Sequence, residues 1–170
     1  VGKFVNPNFN RLAPEWIRNV ADVCNAQNGN DIPVSAFADE NLVDGTIPSG
    51  TSAYEKRGIA VQVPQWNPTN CIQCNQCSYV CPHAAIRPFL MTAEEAEKAP
   101  ASIKRTQGNG ALKDYTFTMQ ISPLDCTGCG NCVDVCPGMK GNKALSLQSA
   151  EGEMPEQASF DYLHTKVGYK

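Results

Sequence analysis

Eight of the nine cysteines fall in two tight runs. One is Cys71, Cys74, Cys77 and Cys81, followed by Pro82; the other is Cys126, Cys129, Cys132 and Cys136, followed by Pro137. Both read C-x2-C-x2-C-x3-C-P, and the second repeats the first 55 residues on. With Cys and Pro scattered at this chain's frequencies, one such run from a given Cys has a probability on the order of 10⁻⁵. Thiolates are soft metal ligands, and three of them at two-residue intervals can wrap one face of a compact iron–sulfur cube. The fourth follows about one helical turn later. The Pro behind it disfavours the α conformation at that Cys, so the chain leaves in a new direction and the last thiolate can serve a different centre.

Other cysteine chemistries fit less well. A zinc ribbon sets two C-x-x-C pairs about 15–20 residues apart, whereas 51 residues lie between Cys74 and Cys126 and four cysteines would be left over. A c-type haem needs C-x-x-C-H, but Asn75, Ser78, Gly130 and Val133 follow Cys74, Cys77, Cys129 and Cys132. Cysteine makes up about 5% of the chain, below the ~8–10% of a disulfide scaffold, and its number is odd. A reducing, cytoplasmic compartment is the expectation.

The runs are similar to those of bacterial two-cluster ferredoxins, where the fourth Cys ligates the other cluster. That similarity implies one [4Fe–4S] cluster on Cys71, Cys74, Cys77 and Cys136, and a second on Cys126, Cys129, Cys132 and Cys81. Binding of metal and folding would then be one event. Each oxidised site carries a formal −2, which takes the chain from −3 to about −7. The second loop has Gly128 and Gly130 where backbone can approach sulfur closely; the first has Gln73, Asn75 and Gln76. The two clusters are therefore expected to differ in reduction potential.

The elements that must hold these loops are short. Ile59–Val63 and Phe117–Ile121 read as strands ahead of the two runs, and Ala85-Ile86 and Ala144-Leu145 begin strands behind them. Each half becomes strand, cluster loop, short helix, strand, which predicts an α+β, ferredoxin-like, pseudo-twofold core over residues 58–150. Residues 11–26 carry Leu12, Trp16, Ile17, Val20, Val23 and Cys24 on one broad helical face, with Pro14 near the start. Cys24 is expected to be buried there as a small hydrophobe. Residues 31–57, with Pro33, Gly45, Pro48 and Gly50, read as an extended, wrapping linker that completes an N-terminal segment of residues 1–57. Thr92 to Lys98 reads as a short polar helix followed by a loop; Gly108-Asn109-Gly110 does not complete a nucleotide-binding G-x-G-x-x-G. Residues 151–170 read as a polar connector.

Composition narrows the remaining classes. The 170 residues are 42% hydrophobic and 18% charged, enough apolar content for a core. A net charge of −3 does not suggest nucleic-acid binding, and no apolar run approaches the ~18 residues of a membrane span. A start at Val1 suggests a piece of a longer polypeptide or a processed product. No nucleophile stands beside a base, and His83 and His164 are isolated, so no catalytic residue is expected.

From about residue 31 to 147 the chain resembles the pyruvate:ferredoxin (flavodoxin) oxidoreductase family. The residues that carry the resemblance are Pro33-Val34-Ser35-Ala36-Phe37, Asp44-Gly45-Thr46, Tyr54-Glu55-Lys56-Arg57-Gly58, Asn70 to Cys77, Cys81 to Pro88 and Ser122 to Cys132. The Glu-Lys-Arg segment separates this family from free two-cluster ferredoxins. The resemblance implies a large, homo-oligomeric anaerobic enzyme that decarboxylates pyruvate on thiamine diphosphate and makes acetyl-CoA. Its electrons pass through three [4Fe–4S] clusters to an external ferredoxin or flavodoxin. It also implies that Glu55, Lys56 and Arg57 anchor domain packing. This chain has no Gly-Asp-Gly for a thiamine site and no cysteines for the third cluster. Thiamine diphosphate, Mg and that cluster are expected in other domains of the enzyme, leaving this segment as the electron wire. A cluster-bearing subunit of a hydrogenase or molybdenum enzyme, and a redox-silent structural metal module, are the alternatives. Lys140 and Lys143 are expected to steer an acidic carrier if electrons leave on the Cys126 side.

Overall fold

The computed structural model describes residues 15–39, 44–45, 51–168 and 170. The chain divides into two units, Val1–Arg57 and Gly58–Lys170.

In the first unit a π-helical turn, Ile17–Ala21, runs into α1 (Asp22–Asn25), and Ile17 and Val20 are buried. Leu12 and Pro14 of the expected helix lie outside the described residues. Cys24 is exposed rather than buried. The π turn widens the helix and rotates the residues after it, so the α-helical spacing from Ile17 no longer carries Cys24 to the inner face. The stretch from residue 31 is not uniformly extended. Residues Val34–Asp39 form α2 and Thr51–Tyr54 a 3₁₀ turn. Pro33, with its φ already helical, precedes good helix formers at Ala36 and Ala38, which the turn-former count did not weigh. Residues 40–43 and 46–50, with Thr46, Pro48 and Gly50, lie outside the described residues. Arg57 returns to Glu55, with Nη2 and Nε 2.9 and 3.1 Å from one carboxylate oxygen.

The second unit is built from two small antiparallel sheets. β1 (Gln62–Trp66) pairs with β5 (Leu145–Ser149), and β2 (Ile86–Met91) pairs with β4 (Thr116–Ile121), which also takes the two-residue β3 (Thr106–Gln107). Each main pairing therefore joins a strand before one cysteine run to a strand after the other. The first strand starts three residues later than expected. Ile59 and Val61 are 64% and 85% exposed, and the buried positions are Val63, Pro64 and Trp66. Apolar alternation alone could not tell an exposed approach from a strand. Pro64 is tolerated because a two-stranded ribbon has only edges.

β4 is buried on both faces. Phe117, Met119 and Ile121 join Trp66, Ile86, Leu145 and the cysteines in one core. On the other face Thr118 Oγ1 donates to Lys104 O at 2.7 Å, and Gln120 Nε2 donates to Thr118 Oγ1 at 2.9 Å. Short helices α3 (Gln76–Tyr79) and α5 (Asn131–Asp134) carry Cys77 and Cys132 and pack together. α4 (Ala93–Lys98) starts at a capping box between Thr92 and Glu95.

The C-terminal residues, which read as a polar connector, are helical. They form α6 (Ala150–Glu153) and α7 (Glu156–Lys166), and Gln157, Phe160 and Leu163 of α7 are buried. Leu163 packs with Met91, Ala99 and Ile103. Phe160 meets Phe89 edge-on at 6.0 Å and lies 5.6 Å beneath the Arg87 guanidinium. The helical signal was present in Pro155, acidic Glu156, Phe160 and Leu163 one turn apart, and Lys166 near the end. Polar neighbours masked it. If residues 156–166 brace the core, Leu163→Ala costs about 2–5 kcal/mol of unfolding free energy in a denaturant titration, whereas an undocked tail would lose almost nothing.

Candidate iron–sulfur centres

The cysteine loops get their shape from residues in left-handed backbone. In the first, Gln73 and Asn75 have φ of 60° each; in the second, Gly128 and Gly130 have 72° and 82°. Asn75 and Gly130 stand at the N-caps of α3 and α5. Asn and Gly reach this region readily, whereas Gln does so rarely.

The turns place the eight thiols around two cavities. Cys71, Cys74, Cys77 and Cys136 line one, of about 340 Å³ including its mouth, beside Trp66, Met119 and Leu145. Cys81, Cys126, Cys129 and Cys132 line the other, of about 390 Å³, beside Pro64, Ile86 and Ile121. Cys74 and Cys129 reach the surface, while Cys132 is buried. Each cavity thus gathers three cysteines of one run and the last of the other. The strand pairing causes this: β1 with β5 and β2 with β4 bring the end of each run beside the start of its counterpart.

Backbone donors point at sulfur in both. Gln73 N–H donates to Cys71 Sγ and Gly128 N–H to Cys126 Sγ, each at 3.4 Å. Ala85 N–H reaches Cys81 Sγ at 3.2 Å and Ala144 N–H reaches Cys136 Sγ at 3.3 Å. Gly128 is required where it stands, because a Cβ there would lie 2.8 Å from Gln62 O.

Burial pushes the Cys132 thiol up to about 12, with the nearby Cys126, Cys77, Cys81 and Cys129 adding to it. Burial likewise pushes Cys77 up to about 11, against a backbone hydrogen bond from Ser78 and with Cys71, Cys136 and Cys74 adding. Burial raises Cys126 too. Thiols gathered this closely cannot all ionise without positive charge between them. Among the described residues no three His, Cys, Asp or Glu groups converge on one ion position. Four thiols in each cavity with N–H groups on the sulfurs fit a [4Fe–4S] core, which brings its own charge and spans the gap between ligands.

Several other side chains depart from expectation. Lys143 Nζ donates to the carbonyls of Val133 at 2.7 Å and Asp134 at 3.3 Å, so it caps α5. The loop carrying Lys140 and Lys143 follows Cys136, and its Pro137, Gly138 and Ala144 line the Cys71 cavity, not the Cys126 one. The crossing of the runs reverses the side that sequence proximity suggested. His83 lines the Cys126 cavity. His164 stacks on Phe160 at 6.1 Å. Sequence reading missed the roles of Ala85 and Ala144; their small size, at matching places ahead of β2 and β5, was the available signal.

The chain also matches known proteins. Residues 70–139 match the 4Fe-4S dicluster domain, and residues 4–60 match the EKR domain, a domain of unknown function. The chain is homologous to a segment of the pyruvate oxidoreductases. It is 49% identical over 151 residues to pyruvate-flavodoxin oxidoreductase of Klebsiella pneumoniae, covering 89% of the chain and 12% of that protein. Against the protein of the same name from Enterobacter agglomerans it is 48% identical over 160 residues, 94% of the chain and 13% of the relative. Pyruvate:ferredoxin oxidoreductase of Moorella thermoacetica is 48% identical over 151 residues, 88% of the chain and 12% of the relative. The chain therefore spans about one eighth of the length of these relatives. Among the described residues no helix is long and apolar enough to cross a membrane.

The turn after Cys136 supplies a test. A Cβ on Gly138, at φ +61°, would lie 1.8 Å from Asn142 O, whereas one on Gly141, at φ +84°, meets nothing within 4 Å. Both alanine variants incur the left-handed penalty of about 1–2 kcal/mol, but Gly138→Ala adds a backbone clash. Denaturant unfolding should show Gly138→Ala at least about 2 kcal/mol less stable than Gly141→Ala; equal losses would contradict the turn geometry.

Proposed function

We propose that this chain is the electron-transfer segment of a pyruvate oxidoreductase. One [4Fe–4S] cluster would be held by Cys71, Cys74, Cys77 and Cys136, and another by Cys126, Cys129, Cys132 and Cys81, in two halves related by a pseudo-twofold axis. The observation that carries the reading is the pair of four-thiol cavities, each mixing the two runs. When bound, such clusters supply reversible one-electron storage.

The chain's own residues do the rest. Eight thiolates anchor the two cores and more than offset their positive charge, leaving each oxidised site at a formal −2. The N–H groups of Gln73, Gly128, Ala85 and Ala144 orient sulfur and stabilise added negative charge. Trp66, Met119 and Leu145 on one side, and Ile86 and Ile121 on the other, keep water from the inner faces. α3 against α5 keeps the cavities adjacent, so electrons need not cross bulk solvent.

In the whole enzyme, electrons from the oxidative decarboxylation of pyruvate to acetyl-CoA and CO2 would enter one cluster. They would leave through the other to an external ferredoxin or flavodoxin. The relatives' names and the 4Fe-4S dicluster match support this reading over a hydrogenase or molybdenum-enzyme subunit. Thiamine diphosphate, Mg and the third cluster would belong to other domains, and the parent enzyme would be a homo-oligomer.

Anaerobic reconstitution is the test. About eight iron and eight acid-labile sulfide per chain, with EPR signals of two interacting cubanes after reduction, are expected. Cys136→Ser should perturb the centre that Cys71→Ser perturbs, and Cys81→Ser the centre that Cys126→Ser perturbs. Pairing within each run instead would defeat the crossed assignment, and zinc or a redox-silent chain would defeat the function.

A further inference from the structure

We propose that Gln73 is a positioning residue for the cluster on Cys71. Its side chain is clamped by the backbone of residues 107–109, and the clamp holds the Gln73 N–H on Cys71 Sγ, which raises that cluster's reduction potential. The proposal rests on the two-cluster reading above.

Gln73 occupies left-handed backbone, φ 60°, which non-glycine residues other than Asn and Asp adopt rarely. Something must keep it there. Its Nε2 donates to Gln107 O at 2.7 Å, and its Oε1 accepts from Asn109 N at 2.9 Å. Both ends of the side-chain amide are thus used on one stretch of backbone. These are long-range bonds, 34 and 36 residues away in sequence.

The receiving loop is firmly built. Gly108 N–H donates to Tyr115 O at 2.9 Å, and Leu112 N–H to Asn109 O at 3.0 Å. Gln107 Nε2 adds a bond to Tyr115 O at 3.2 Å, and Gln107 itself pairs with Thr116 in β4. A Cβ on Gly108 would lie 2.1 Å from Leu112 O, so Gly108 is needed for the close approach. The Gly108-Asn109-Gly110 motif, which completes no nucleotide-binding pattern, has a job as the receptor for Gln73.

The second cysteine run keeps the same N–H···S contact by other means. Gly128 takes the place of Gln73, and Gln62 O leaves no room there for a side chain. A clamp of this kind can act on one cluster only. One-electron reduction adds negative charge at the sulfurs, and a donor fixed on Cys71 Sγ favours the reduced state. Freed from the clamp, residue 73 relaxes out of left-handed backbone, its N–H leaves the sulfur, and reduction becomes harder.

The experiment is a potentiometric EPR titration of the full 170-residue chain, reconstituted anaerobically, with iron and sulfide counted on every sample. About eight iron per wild-type chain and EPR signals from two clusters establish the reading on which the proposal rests; their absence overturns both. Given those, Gln73→Ala should move one wave by about tenfold toward harder reduction, ~59 mV for a one-electron couple, and leave the other in place. Where the wild-type waves coincide, the variant should split them. Gly108→Ala, which disturbs the receptor loop without touching the cysteine run, should move the same wave in the same direction. Unmoved waves at full iron content, with or without a lower unfolding midpoint, would make Gln73 a structural residue and overturn the proposal. An equal shift of both waves would overturn it too. If Gln73→Ala loses iron, Gly108→Ala decides by the same criteria.

Discussion

Eight thiols crowded into two cavities are the constraint on which the rest of the second unit depends. Burial and mutual repulsion hold the inner ones, Cys77 and Cys132, in their neutral form well past the ordinary thiol range. Positive charge within each cavity reverses that balance, because thiolates then gain more from the cation than they lose to one another. The small hydrophobic core cannot be separated from this. Trp66, Met119 and Leu145 sit against the cysteines of one cavity, and Ile86 and Ile121 against those of the other.

Strand pairing makes the crowding possible. β1 with β5 and β2 with β4 tie the flank of each run to the flank of the other, so neither cavity closes without both runs. The approach to Cys126 is secured separately. Gln157 of α7, buried, accepts a hydrogen bond from Leu124 N–H at 3.1 Å, and Ser122 Oγ donates to Asp125 at 2.6 Å. The C-terminal helix thus reaches the turn that delivers the second run. On the first run the long-range ties include the Gln73 amide on the 107–109 backbone and Asn70 Nδ2, which donates to Lys143 O at 3.2 Å. The two loops share a form and differ in what holds them.

Much of this was legible before any coordinates. The cysteine runs, β4, the polar helix capped by Thr92 and the starts of β2 and β5 all follow from spacing and period. These signals are local. Three misreadings have one origin, in that a local pattern was asked for a tertiary fact. Ile59 and Val61 alternate like strand residues yet stay exposed, because burial depends on what packs against the face. Residues 151–170 look polar, yet Phe160 and Leu163 suffice to dock a helix whose other faces meet solvent. Lys143 was expected to steer a carrier on the Cys126 side, and it caps α5 because the loop after Cys136 folds back over that helix's end.

The sequence by itself determined which atoms could bind metal, how many there are, and that the chain carries two like loops between short strands. Ligand type and spacing are written residue by residue, so no folding is needed to read them. Only the tertiary structure decided which thiols share a cavity, which N–H groups face them, and which side of the pair the Lys140 loop belongs to. Those are relations between segments some 55 residues apart, set by antiparallel pairing and close packing.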